Sequence, residues 1–321
     1  MTVNLVTGCS GFVASHLIEF LLSKGETVIG TYRWNENLER AEKYKSKIGM
    51  IPMDLIDLTS CIKATNRQID YIYHLAAQSF VPDSFVYPIQ TMQTNTIGTL
   101  NLLEAIRLNG QPYPVTFVCS SSEVYGQVLE NEIPIKESQP FRPANPYAVS
   151  KCGADLIARL YFDNYKMPII RTRMFTHTGY GRTMESAEVS FARQIALIEK
   201  GAEPIIKVGN LNSIRTFADV RDAIRAYYLL VRKCTYGEVY NIGGDYTCSI
   251  GDMLQYLISL SPMKNEIKIE VDPSKLRASD VTLQIPDSSK FKNETGWKPE
   301  FTFGETMASL LKYWREKVDN K

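Results

Sequence analysis

The sequence has no closely spaced cysteines. Its six, at positions 9, 61, 119, 152, 234 and 248, form no CxxC pair and fall into no Cys/His spacing suited to zinc, so neither a disulfide framework nor a metal site is expected and the thiols read as reduced. It has no surplus of one charge either. Lys plus Arg number 36 against 35 Asp plus Glu, a formal +1, which gives no electrostatic reason to expect nucleic acid or an anionic membrane as a partner. There is no apolar stretch of membrane-spanning length, and no basic, apolar leader stands before the first strand-like run, so the reading places the protein in the cytoplasm. Internal repeats and low-complexity tracts are also absent.

What remains is a chain of 321 residues, enough for one large α/β domain and a smaller lobe. Val3 to Thr7 is a short apolar run, followed by a glycine-containing turn, helical spacing from Phe12 to Leu22, a closing Gly25 and a second β-branched run from Thr27 to Tyr32. Further strand-like runs at Ile48–Met53, Tyr71–Leu75, Val115–Cys119 and Ile169–Arg173 alternate with helical segments, one of them a long helix from about Ser84 to Leu108. Parallel strands need crossovers that cover both sheet faces, so this alternation predicts a Rossmann-type, doubly wound parallel α/β sheet with a smaller C-terminal substrate-binding lobe. Residues 1–174 with about 213–243 are assigned to the first domain, and about 175–212 with 244–321 to the second. A helix at Ala187–Ile198, a strand at Ile205–Val208, a helix at Asp219–Val231 and a strand at Val239–Ile242 complete the expectation.

The first turn reads Gly8-Cys-Ser-Gly11-Phe-Val-Ala14, a GxxGxxA spacing whose small residues let backbone approach a pyrophosphate at a helix N-terminus. The second strand ends in Tyr32-Arg33 where an acid would hold a ribose 2′-hydroxyl, so Arg33 either pairs with a 2′-phosphate, favouring NADP, or is a solvated surface charge. Asp54 and Leu55 follow the third strand and would border an adenine. Tyr147 and Lys151 lie one turn apart on a helix, where an ammonium near a phenol is expected to lower the phenol's pKa for acid/base work. Ser120-Ser-Ser-Glu123 follows a buried strand. Its serine would align the reacting oxygen, and Glu123 is either a base for proton removal from carbon or a cap to the next turn.

Taken together, the glycine motif, His74-Leu-Ala-Ala-Gln-Ser79, Ser120 to Gly126, Asn145-Pro-Tyr-Ala-Val-Ser-Lys151 and Gly296-Trp-Lys-Pro299 resemble the extended short-chain dehydrogenase/reductases. Thr31 to Trp34, Ile205 to Asn210, Arg215 to Asp222 and Leu276 to Asp280 make the chain most similar to GDP-mannose 4,6-dehydratases and GDP-heptose 4,6-dehydratases, with GDP-4-keto-6-deoxymannose reductases nearby. The resemblance implies an internal redox cycle with Ser121, Glu123, Tyr147 and Lys151 as catalytic residues. It implies NADP contacts from Gly8, Ser10, Gly11, Phe12, Val13, Arg33, Asp54, Leu55, Leu75, Ala76, Ala77, Tyr147, Lys151 and His177. The GDP-linked sugar would face Ser79, Ser84, Ser122, Thr176, Arg215 and Arg277, the arginines as diphosphate forks or, alternatively, as surface ion pairs.

The sequence departs from the family at Phe175-Thr176-His177-Thr178-Gly179-Tyr180, where Thr176 replaces the usual asparagine and the loop Gly181–Glu188 is unusual. His177 either approaches the cofactor or is a satisfied buried histidine. A homodimer or homotetramer through the Ser84–Leu108 and Tyr147–Tyr165 helices is expected by the resemblance. An NADPH-dependent 4-reductase and a nonenzymatic NADP-binding sensor are the alternatives to a dehydratase.

Overall fold

A computed structural model describes residues 2–182, 184, 186–276 and 281–319. Apolar runs and amphipathic stretches alternate as β1 Val3–Thr7, α1 Phe12–Ser23, β2 Thr27–Tyr32, β3 Gly49–Pro52, α2 Leu58–Thr65, β4 Tyr71–His74, α3 Val81–Val86, α4 Pro88–Met92, α5 Gly98–Asn109, β5 Val115–Cys119, α6 Pro146–Tyr165 and β6 Ile169–Met174. Then come β7 His177–Thr178, α7 Ala187–Ile198, β8 Ile205–Val208, β9 Ile214–Asp219, α8 Val220–Lys233, β10 Val239–Ile242, β11 Tyr246–Ser249, α9 Ile250–Ser259, β12 Lys268–Val271, β13 Leu283–Gln284, α10 Ser289–Thr295 and α11 Phe303–Asp319. Seven strands form one parallel sheet in the order β10-β6-β5-β4-β1-β2-β3, the doubly wound arrangement expected. The strand order reverses between β1 and β4, and that is where such sheets open a crevice beyond their carboxyl ends.

A buried polar chain locks this switch point. Thr7 Oγ1 accepts from the N–H groups of Leu75 (3.0 Å) and Ala76 (2.9 Å), so its own proton goes to Nδ1 of His74 at 3.1 Å. The other ring nitrogen, Nε2, then carries the hydrogen and donates to Thr99 Oγ1 at 3.0 Å, which in turn donates to the Asn95 carbonyl. Burial holds the imidazole neutral, pulling its pKa down to about 3 with help from the Lys151 charge.

The long helix expected from Ser84 to Leu108 is broken. Tyr87, which precedes Pro88, sits at φ −125°, ψ 59°, because a residue before proline is pushed out of the α region. A π-helical turn over Gln93–Ile97 follows, and Asn95 within it uses its side chain to bind both backbone groups of Gln78 and the Ser150 hydroxyl. The helix does end where expected, at Asn109, with Gly110 at φ 87°.

Residues 214–219, which the sequence reading placed with the first domain, form β9 of a smaller sheet in the order β11-β9-β13, with β7 also on β9. Strands β8 and β12 pair separately, and helices α7, α9 and α11 pack on a core that includes Val189, Ile195, Leu254, Leu257, Leu310 and Leu311. No helix among the described residues is long and apolar enough to cross a membrane. All six cysteines are free.

Candidate active site

The turn after β1 is built for close approach. Gly8 has φ +68°, and a Cβ there would lie 3.1 Å from the Cα and Cβ of Ala76 at the end of β4; one on Gly11 would lie 3.1 Å from the Gly8 carbonyl oxygen. Helix α1 starts at Phe12 with Gly11 as its N-cap, no side-chain cap and no acid in its first turn, so the cradle suits the diphosphate of a dinucleotide. Ser10 is buried and Val13 half-buried beside it, while Leu75, Ala76 and Ala77 are half-buried beyond β4. Asp54 turns an oxygen back onto the Ile56 N–H at 3.1 Å, and buried Leu55 packs against Gly98. Arg33 is exposed at the end of β2, its backbone N–H bonded to the Glu36 carboxylate. The rings of Phe12 and His177 stack 6.4 Å apart, and burial, with the Arg182 charge, takes His177 down to about 4, a neutral imidazole at neutral pH.

Tyr147 and Lys151 start helix α6, whose N-cap Asn145 accepts the Ala148 N–H at 2.8 Å. Both side chains are buried. The phenol is pushed above its ordinary range, chiefly by burial; a hydrogen bond with Ser121 pulls it down, and Cys119 and Glu123 push it up. The sequence expectation of a lowered tyrosine is therefore corrected. The Lys151 ammonium points to the Cys119 carbonyl, donating at 2.6 Å, and burial lowers its own affinity for the proton. Spacing set the two residues on one helix face, but the end of β5 competes for the ammonium.

Ser121 caps the short 3₁₀ turn Ser122–Tyr125, accepting the Glu123 N–H at 3.2 Å. Glu123 is half-buried, and each of its oxygens accepts from an amide: Oε2 from Asn145 Nδ2 and Oε1 from Gln284 Nε2, both at 3.1 Å. The sequence reading had not given Asn145 or Gln284 a role in the site. Asn145 carried a signal, an asparagine before Pro146 at a helix start. Gln284 carried none, lying 161 residues from the carboxylate it touches.

The residues assigned to substrate do not all converge. Ser84 is fully buried and donates to the Val81 carbonyl at 2.6 Å, and buried Ser122 donates to Gln284 Oε1 at 3.0 Å, so both hydroxyls are engaged inside the protein. Ser79 is exposed, and Thr176 is half-buried with its carbonyl bound by the Ala218 N–H. Arg215 is half-buried on β9 and donates to the carbonyls of Ile214 and Val281. Arg277 lies outside the described residues. Among those described, no cluster of His, Cys, Asp and Glu forms a metal site.

A tyrosine, lysine and carboxylate beside a dinucleotide cradle form a set for proton transfer coupled to hydride chemistry. The family model for GDP-mannose 4,6 dehydratase matches residues 5–310. The chain is 32% identical over 321 residues to GDP-6-deoxy-D-mannose reductase of Pseudomonas aeruginosa, covering 99% of each, and 32% identical over 349 residues to GDP-mannose 4,6-dehydratase of Yersinia enterocolitica, covering 97% of this chain and 93% of that one. The structure of RMD from Pseudomonas aeruginosa complexed with NADPH superposes with a TM-score of 0.85 at 30% identity, covering 99% of this chain and 100% of that one. With the cradle, the YxxxK helix and the glutamate turn in place along nearly its whole length, the chain belongs to the GDP-mannose 4,6-dehydratase family.

Proposed function

We propose that this enzyme binds NADP and converts a GDP-linked sugar, GDP-mannose or GDP-D-glycero-D-manno-heptose, to its 4-keto-6-deoxy form by an internal redox cycle. The observation that carries the proposal is Glu123, held as a pure hydrogen-bond acceptor by two amides beside Tyr147. A carboxylate so oriented suits removal of a proton from carbon, which simple ketone reduction does not require. Bound NADP⁺ would supply hydride acceptance from C4 and return at C6. Tyr147, aligned by Ser121, takes the C4 hydroxyl proton, and Lys151, with two donors beyond the one given to Cys119, can turn to the phenolate. Glu123 removes the C5 proton acidified by the new ketone and hands a proton to the departing C6 hydroxyl, so water leaves; with the hydride back at C6, C5 takes a solvent proton through Glu123 and Tyr147 gives its proton up to solvent, so both side chains are restored.

Arg33 would pair with the 2′-phosphate, and Arg215 and Arg277 would grip the sugar-nucleotide diphosphate. Val149, Leu156 and Leu160 leave an apolar stripe exposed on α6, near exposed Ile89 and Ile97, which favours a dimer through these helices. A second reading, an NADPH-dependent 4-reductase, is favoured by alignment extent: the reductase aligns over 321 positions, whereas the dehydratase needs 349. Incubation with GDP-mannose and GDP-heptose, with and without NADPH, separates the two. A dehydratase forms the 4-keto-6-deoxy product and consumes no NADPH; a reductase leaves both substrates untouched.

A further inference from the structure

The proposed mechanism draws on Gln284 only as one of two amides against Glu123, yet its carboxamide also bonds Ser122. It is buried at 2% exposure, and its two polar atoms bridge adjacent residues of the catalytic turn: Oε1 accepts from the Ser122 hydroxyl at 3.0 Å and Nε2 donates to Glu123 Oε1 at 3.1 Å. Both bonds fix the same amide orientation, since the serine must donate to the oxygen for the nitrogen to face the carboxylate. The strand carrying it is stitched on either side to the segment that follows that turn. Thr282 donates its N–H to Gln127 Oε1 at 2.8 Å, and Ile135 exchanges backbone bonds with Ile285 and Asp287, each at 2.8 Å. In register, Gln284 lies opposite Arg215 on β9.

We propose that Gln284 is a positioning residue for Glu123: a side chain of the smaller sheet that aims the catalytic carboxylate across the cleft and, through its pairing with the Arg215 strand, ties that aim to the sugar-nucleotide side of the site. The inference rests on the reading of Glu123 as the base at C5. The Asn145 amide, by contrast, belongs to helix α6 and holds the other oxygen from the cofactor side. The carboxylate is thus held between helix α6 and the smaller sheet, one amide from each side, and loses its aim if either withdraws. Among the described residues, Tyr147 on α6 feels the Glu123 charge, which pushes its phenol up, while Arg182 after β7 pulls the same phenol down, and Arg215 on β9 faces Gln284 in register.

The test replaces the amide with its isostere. Gln284→Glu puts a second carboxyl against Glu123, and two carboxyls in contact share a proton, so the acid limb of the kcat profile moves up by about one pH unit or more. Gln284→Met keeps volume but no donor, and is expected to lower kcat about tenfold or more, the range of a lost alignment of a reacting group, with the KM for the GDP sugar and the Kd for NADPH little changed. Exchange of the C5 hydrogen with solvent deuterium is followed in both, alongside Glu123→Gln. If Glu123→Gln abolishes exchange while Gln284→Glu leaves the pH profile and Gln284→Met leaves kcat as in the parent enzyme, the positioning role is overturned. If Glu123→Gln itself exchanges normally, it is the reading of Glu123 as the base that fails. A Gln284→Glu protein that does not fold leaves Gln284→Met to decide, since a purely structural glutamine would change melting temperature without lowering kcat in the folded enzyme.

Discussion

Tyr147 holds its proton more tightly than a free phenol because it is buried, and the carboxylate of Glu123 adds to that hold. In the proposed mechanism Tyr147 is the group that exchanges a proton with the substrate oxygen. Tyr147→Phe is expected to reduce turnover by three orders of magnitude or more, roughly the worth of a general acid/base, while NADPH still binds in a fluorescence titration. Glu123→Gln keeps the shape and one of the two amide partners but removes the base. Single-turnover absorbance should then show reduced cofactor accumulating without dehydrated product, the opposite of the parent enzyme. These residues were legible in the sequence because their chemistry sits in short spacings, Tyr147 four residues before Lys151 and Glu123 two after Ser121. The direction of the tyrosine shift was not legible. It is set chiefly by how deeply the fold buries the phenol, which no local spacing encodes.

Helix α6 serves the site through its first turn as well as its Tyr/Lys face. Asn145 uses one atom to cap the helix and another to hold Glu123. Asn145→Asp keeps the cap acceptor but sets a second carboxyl against Glu123, so the acid limb of the kcat profile should move up, as for Gln284→Glu, while the cap holds the melting temperature near that of the parent. Asn145→Ala should instead cost stability, about 1 kcal/mol for a lost N-cap, measurable by urea unfolding. At the cofactor end, Gly8→Ala places a side chain at φ +68° and at 3.1 Å from Ala76, so NADPH affinity should drop with little change in the GDP-sugar KM. Most elements could be read from apolar periodicity and glycine stops. The break at Tyr87 and the π turn at Gln93–Ile97 were missed because apolar spacing runs on through them; Pro88 was the local signal, and the Asn95 bonds to Gln78 and Ser150 are tertiary.

Across the whole molecule, all three histidines are held neutral, and loss of solvent is the main cause for each: buried His16 is lowered, buried His74 is down to about 3 and half-buried His177 to about 4. An unfolded chain takes up these protons below its ordinary value of 6.5, while folded His74 and His177 do not until about 3 and 4. Stability is therefore full above that value and falls as pH drops through it, by up to about 1.4 kcal/mol per pH unit for each of these two, and His16 acts in the same direction. Urea midpoints between pH 7 and 5, on the order of a span where most carboxylates stay ionised, should decline, and His177→Asn should flatten the slope. The doubly wound sheet was legible because β-branched runs and crossovers alternate along the chain. The membership of β9 in the smaller sheet was not, because its partners β11 and β13 come later in sequence and its own run reads like any other strand. In the proposed chemistry a carboxylate and a phenol work on one sugar around a cofactor that is never consumed. Its most direct test is the reaction of GDP-mannose and GDP-heptose in deuterated water with catalytic NADP⁺ alone: the predicted result is a 4-keto-6-deoxy product carrying deuterium at C5 at many turnovers per cofactor, and a protein that leaves both sugars intact while oxidising one NADPH per molecule of a 4-keto substrate would contradict it.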